Sequence, residues 1–323
     1  MQTYIGVDIS KEYFDIYIEG TSQRLQNNNE GHTKVLSLLP KQSWVVMECT
    51  GTYGHRLADT LVAHGITVSM ANALQVKRFA QSRSKRAKTD TIDAGLLVEY
   101  AISLEHCSDE RDRLRVWQPS PQSREYLQQM RTCYDLLLRQ RTMLINQMEG
   151  YAGYVQVSPK VEDVHGELLC FLDDKVEELE LAMNRIVEEH YKEESEHIES
   201  IPGVGRKTSV AVIAAVGNIA RFSSAKALAA YCGLAPRIIQ SGSSVRGRGV
   251  LCSNGVTSLR TQLYMCAMSA VRWNEPCKKL YERLVAKGKK KIVALLAVAH
   301  KLVRQIYAVL TYKTTFTINT YAC

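Results

Sequence analysis

The hydrophobic period changes at Pro121, and that change requires at least two differently built parts. Before it, apolar residues come in short β-branched runs: "YIGVDIS", "FDIYIEG", "SWVVMECT" and "ITVSMAN". After it they recur at spacings of three and four, as Leu127, Met130, Tyr134, Leu137, Leu144 and Met148. Leu172, Val176, Leu179, Met183 and Ile186 repeat that spacing. Short apolar runs of this kind suit strands and a spacing near 3.5 suits helices, so one layer cannot accommodate both. With 323 residues, each part can bury a core of its own.

In the first part, "YIGVDIS" and "FDIYIEG" flank the turn-prone "KEY", which predicts an antiparallel hairpin. "SWVVMECT" reads as a buried strand, followed by the helical "HRLADTLVAHG" with its terminal glycine stop signal. "ITVSMAN" is a short strand, and "ALQVKRFAQS" and "TIDAGLLVEYAI" read as helices. Strands interleaved with helices predict an α/β layer over residues 1–120.

Residues 121–197 carry the two heptad seams, the first interrupted by Arg141, around the Gly- and Pro-containing "GYAGYVQVSPK". They predict an antiparallel helical hairpin, a spacer or an oligomerisation arm. Ordinary packing in a bundle is the plainer alternative, while "DDKVEELE" on the outer face favours a coiled coil. Residues 198–323 open with "ESIPGVGRKTSVAVIAAVG", which has the form of a helix-hairpin-helix. Its Gly-Val-Gly turn leaves N–H groups at a helix N-terminus, where the dipole favours a phosphate, with Arg206 and Lys207 beside it.

The formal net charge of +8 suggests an anionic partner. Lys77, Arg78, Arg83, Lys85, Arg86 and Lys88 crowd together before Asp90, and Lys287, Lys289, Lys290 and Lys291 form a second cluster. A single such run is usually a solvated face; two of them, with the arginines of "QSGSSVRGRG", put nucleic acid on an equal footing. Nine cysteines without a Cys-x-x-Cys pair read as reduced thiols, not a zinc site. No apolar run approaches the twenty or so residues of a membrane helix, and "MQTYIGVDIS" lacks a basic-then-apolar leader. A cytoplasmic protein without a membrane partner is the expectation.

Asp8 ends one predicted strand and Glu48 another, while Asp90 and Asp93 lie three residues apart on one face of a helix start. Each alone has a structural explanation as a turn residue, a cap or a dipole partner. An unpaired carboxylate buried in "VVMECT" would be costly, however. Converging acids repel unless a cation holds them, and Mg²⁺ is the usual one because it takes hard oxygen ligands. Two such ions can stabilise the attacking and leaving oxygens of a phosphodiester displacement.

"QSGSSVRGRG", taken alone, reads as a flexible linker. Yet "GVDISK", "ECTGTY" and "KTDTIDA" around the four acids, followed by "ESIPGVGRKTS", "YCGLAPR" and "SGSSVRG", resemble the Asp-Glu-Asp-Asp (DEDD) transposases of insertion-sequence family one-hundred-and-ten. The resemblance covers nearly the whole chain in the expected order. It implies an RNase H-like, Holliday-junction-resolvase-like α/β N-terminal domain, a helical coiled-coil arm and a mainly α C-terminal transposase domain. It also implies Asp8, Glu48, Asp90 and Asp93 as Mg²⁺ ligands and Ser241 as the catalytic serine. Enzymes of this kind are RNA-guided recombinases: a structured non-coding bridge RNA pairs with double-stranded donor and target DNA, and the protein cuts and exchanges strands. Dimers assembling to tetramers are implied, with the serine and the acids of one site drawn from different subunits, in a prokaryotic, nucleoid-associated setting. A serine hydroxyl is a weak nucleophile until activated. The surrounding glycines would let the backbone approach DNA, Arg246 and Arg248 would hold the phosphate, and Ser243 and Ser244 would be supports. Two alternatives stand: a metal-dependent junction endonuclease using the tetrad alone with water, and a non-catalytic protein that merely holds nucleic acid.

Overall fold

The computed structural model describes residues 3–49, 51–83, 90–105, 114–237, 240–241, 245–246, 250–251 and 255–318, with only the backbone described at 49, 90–93, 236–237, 240–241, 245–246 and 250–251. The chain forms two compact units, Met1–Pro119 and Ser120–Cys323.

In the first unit a five-stranded sheet is built from β1 (Thr3–Ile9), β2 (Tyr13–Ile18), β3 (Thr21–Gln26), β4 (Ser43–Cys49) and β5 (Thr67–Asn72). The strand order is β3-β2-β1-β4-β5. β1 to β3 form an antiparallel meander, whereas β4 runs parallel to β1 and β5 parallel to β4. The helices are α1 (Asn29–Leu38), α2 (His55–Ala63), α3 (Ala73–Ser82) and α4 (Asp90–Glu105). The period of two sorts the side chains. Ile5, Val7 and Ile9 join Phe14, Ile16, Val45, Met47 and Leu57 in one core. Val46 faces the other way, into a second core with Leu96, Leu97 and Tyr100 of α4. α4 lies directly on this second face: a Cβ at Gly6 would stand 1.8 Å from the Ala94 carbonyl oxygen. Glycine is therefore obligatory where helix and sheet meet.

β3 and α1 fall within a polar stretch to which sequence patterning assigns nothing. β3 is a sheet edge whose one buried side chain is Leu25. α1 begins because the Asn28 carboxamide oxygen accepts from Gly31 N–H, capping a helix whose buried residues are only Gly31, His32 and Val35.

The second unit opens with α5 (Gln122–Tyr151) and α6 (Pro159–His190), an antiparallel hairpin in which Arg141 of α5 pairs with Asp173 of α6. That pair explains the interruption of the seam. The remaining elements are α7 (Lys192–Glu199), α8 (Arg206–Val216), α9 (Ala225–Tyr231), β6 (Pro236–Arg237), β7 (Gln240–Ser241), β8 (Val245–Arg246), β9 (Val250–Leu251), α10 (Thr257–Trp273), α11 (Glu275–Ala286) and α12 (Lys291–Tyr312). Leu127, Tyr134, Met183 and Val187 at the base of the hairpin share one core with Ile198, Ile213, Leu263 and Leu302. The arm, set apart at 121–197 by sequence, is thus rooted in the same unit as residues 198–323. Beyond Arg141 the first seam opens: Leu144 is half-buried and Met148 exposed, with Met143, Leu168 and Phe171 exposed beside them.

α12 is long and apolar enough to cross a membrane by length and composition, although His300, Lys301, Arg304 and Gln305 interrupt its apolar run. It nevertheless buries Ala294, Val298, Leu302, Ile306 and Val309 in the unit's core, as a central helix does.

Candidate active site

β1 and β4 are adjacent and parallel, with Val7 opposite Met47. One residue further along each strand, Asp8 and Glu48 stand side by side, on backbones roughly 4.8 Å apart. Val7 and Met47 face one core, so the pleat turns both acids to the opposite face, the one α4 covers. Both are half-buried.

α4 brings its own start to the same end. Ala94 packs on Gly6. Eleven residues on, Glu105 lies near enough to Tyr4, at the start of β1, to help burial raise that phenol's pKa. α4 therefore runs antiparallel to β1. Its first residues, Asp90 and Asp93, fall where β1 and β4 end, with Asp90 about 6 Å of helix before Ala94. The side chains of Asp90 and Asp93 lie outside the described residues. Among the described residues no three metal-capable side chains cluster.

A further acid, which sequence reasoning missed, borders this set. Asp15 of β2 pairs across the sheet with Asp8 and is buried. Arg24 of β3 grips it with both ends of the guanidinium, Nε to Oδ1 at 3.0 Å and Nη2 to Oδ2 at 2.7 Å. The same guanidinium lies 4.0 Å from the Tyr13 ring centroid. Two like charges directly opposite on a sheet destabilise it, and Arg24 offsets one of them. The alternation in "FDIYIEG" was the available signal, since it sends Asp15 to the face away from Phe14 and Ile16.

Of the basic residues, Lys77 and Arg78 are exposed on α3, and Arg83 lies over the Phe79 ring at 5.3 Å. Lys85, Arg86, Lys88 and Arg248 lie outside the described residues. Lys287, Lys289, Lys290 and Lys291 are all exposed. The α7–α8 turn docks on α10: Gly203 has φ +96°, and a Cβ there would lie 2.7 Å from Ala270 backbone atoms. Gly205 caps α8 with no side chain of its own, so the first N–H groups of α8 receive no side-chain cap. Arg206 and Lys207, expected beside a phosphate, are engaged within the unit. Arg206 donates to Ser195 Oγ at 2.9 Å and Asn184 Oδ1 at 3.2 Å, and pairs with Glu188 and Glu199 at 3.2 and 3.3 Å. Lys207 pairs with Glu180 at 3.0 Å.

Ser241 is the last residue of β7, paired antiparallel with Val245 of β8, while Gln240 pairs with Arg246. β6 and β9 form a second antiparallel ladder before and after it. At Ser241 the backbone is thus a paired strand and not a free linker. The side chains of Ser241 and Arg246, and all of Ser243 and Ser244, lie outside the described residues.

Residues 5–152 match the family model of the DEDD transposases of the IS110 type, and residues 195–282 match the one described as "Transposase IS116/IS110/IS902 family". The pilin gene-inverting protein of Moraxella bovis is 30% identical over 325 aligned residues, covering 96% of either chain. The transposase for insertion sequence element IS1111A of Coxiella burnetii is 26% identical over 343 residues, covering 97% of this chain and 90% of that one. A DEDD transposase domain implies use of a divalent metal, and paired carboxylates at Asp8 and Glu48 are the hard oxygen donors such an ion takes. With a relative at this identity along the full length and family models matched in both units, the chain belongs to the IS110 family of transposases, DNA-processing enzymes of insertion sequences.

Proposed function

We propose that this transposase is an RNA-guided recombinase that uses Ser241 to attack a DNA phosphodiester. The placement of Asp8 and Glu48 side by side at the ends of adjacent parallel strands, under the start of α4, carries the reading. The β3-β2-β1-β4-β5 order with its antiparallel meander supports an RNase H-like assignment. A relative named for inverting a pilin gene supports recombination over simple cutting, because inversion rejoins ends to new partners.

Asp8, Glu48, Asp90 and Asp93 would hold Mg²⁺, which when bound neutralises phosphate charge and favours deprotonated oxygen nucleophiles. Ser241 Oγ gives up its proton and forms a bond to phosphorus. The bond from phosphorus to one sugar oxygen breaks, and that oxygen takes up a proton. The phosphoserine so formed conserves the phosphodiester's energy, so a hydroxyl from another strand displaces Ser241 without ATP. Arg246 and Arg248 would hold the phosphate. The uncapped first turn of α8 would contact backbone phosphate through its N–H groups, since Arg206 and Lys207 are already paired with carboxylates. Lys77, Arg78, Arg83, Lys85, Arg86 and Lys88 would contact the nucleic-acid backbone, which sets affinity and leaves sequence choice to the bridge RNA. Multimers would join acids and serine from different subunits.

Replacing Ser241 by Ala should abolish covalent protein–DNA adducts on denaturing gels while leaving RNA binding intact. A normal adduct yield from that variant would remove the serine from the mechanism, and cleavage to free ends would favour the water-dependent endonuclease.

A further inference from the structure

Two loops follow the strands that carry Asp8 and Glu48 as their next-to-last residues, and one side chain ties the loops together. Asn27, just past β3, donates from Nδ2 to the Ser10 carbonyl at 3.0 Å and to the Tyr53 carbonyl at 3.2 Å. Ser10 is the first residue after β1, two beyond Asp8, and Tyr53 lies five residues beyond Glu48. Since Nδ2 serves as donor to both carbonyls, the opposite end of the carboxamide is an acceptor, and His32 Nε2 lies 2.8 Å from Oδ1. This fixes the Asn27 amide orientation and makes His32 the donor at Nε2. His32 is itself buried against Phe14, their ring centroids 6.1 Å apart, so it has one well-defined position. Asn27 is held a second time through its backbone, whose N–H donates to the Glu12 carbonyl at 2.9 Å. The Ser10 turn is closed in turn by Ser10 Oγ donating to the Tyr13 carbonyl at 2.7 Å.

We propose that Asn27, oriented by His32, is a positioning residue that fixes the spacing of Asp8 and Glu48 by clamping the loops after β1 and β4. The inference rests on the carboxylate reading above. Among the described residues β1 and β4 are paired up to Val7 and Met47, and no further pair joins them beyond. A divalent ion tolerates little error in ligand spacing, so its affinity reports on whatever holds the two exits in register. Asn28, the next residue, provides the control, because its side chain caps α1 through Gly31 N–H and contacts neither loop carbonyl.

The test measures Mn²⁺ affinity of the full-length chain by electron paramagnetic resonance titration, with melting temperature recorded without metal. Asn27→Ala is expected to weaken Mn²⁺ binding roughly tenfold, the usual scale for groups that orient metal ligands. Asn28→Ala should lower the melting temperature through loss of the α1 cap and leave Mn²⁺ affinity within about twofold. Asp8→Asn serves as the reference for direct ligand loss. Wild-type affinity in Asn27→Ala alongside weakened binding in Asp8→Asn overturns the clamp alone. Undiminished binding in Asp8→Asn, or none in the wild type, overturns the carboxylate reading and the clamp with it. Equal weakening in Asn27→Ala and Asn28→Ala would reduce the effect to general destabilisation, which also overturns the clamp.

Discussion

At Asp15 a buried carboxylate sits directly across the sheet from Asp8, and its bidentate partner Arg24 is half-exposed. Truncating Arg24 to Ala strands that charge, and partial solvent access limits the cost to about 1–3 kcal/mol in urea unfolding. His300 offers a pH test. Burial, and secondarily Arg304, lowers its pKa below the ordinary 6.5. The unfolded chain therefore takes up that proton first, and the stability present above pH 6.5 is lost as pH falls through the depressed folded value. His300→Gln should flatten this acid-side loss between pH 7 and 5; an unchanged slope would assign it elsewhere. Burial also pushes the Cys232 and Cys277 thiols up to about 12, whereas Cys133 and Cys170 are exposed. A thiol reagent at pH 8 should label Cys133 and Cys170 in the native chain and reach Cys232 and Cys277 only after unfolding. At this scale Asp8 and Glu48 were legible as candidates because each is an acid near the end of an apolar run. Asn27 was not, because nothing in "QNNNEGH" distinguishes one asparagine from the next until the loops meet around it.

Among the elements, α4 carries the greatest consequence for the site, and Gly6 controls its seat. Gly6→Ala would drive a methyl into the Ala94 carbonyl, so α4 must lift and its first turn must leave the strand ends. The expected result is lost Mn²⁺ binding together with destabilisation by several kcal/mol, since overpacking a contact this close has no small solution. The arm shows how heptad spacing is read correctly and yet incompletely. Leu127 is fully buried at its base, and Leu127→Ala should cost 2–5 kcal/mol, roughly the usual range for a core leucine. Met148, a seam residue beyond Arg141, is exposed, and Met148→Ser should shift stability by less than about 0.5 kcal/mol. The heptad spacing continues on both sides of Arg141; the core it enters distinguishes base from tip. β3 and α1 escaped notice for the opposite reason. Their burial is slight, so their residues carry little apolar signal, and pairing with β2 and the Asn28 cap supply what pattern does not.

For the whole molecule, the change of period at Pro121 falls within two residues of the boundary between the units. The four acids belong to the first unit and Ser241 to the second. Residue chemistry alone read the serine loop as a linker; the family resemblance reversed that reading, and the β7–β8 pairing adds a defined backbone at Ser241. Charge operates at the same scale. Reversing Lys77 and Arg78 to Glu should reduce the log–log salt slope of nucleic-acid binding by roughly two or more, at about 0.9 per phosphate contact, without changing the preferred target. The most direct measurement is mass spectrometry of the adduct trapped with Mg²⁺, guide RNA and DNA. We predict a nucleotide on the Oγ of Ser241, absent in Asp8→Asn. A nucleotide on another residue, or cleaved DNA with no adduct, would contradict the account.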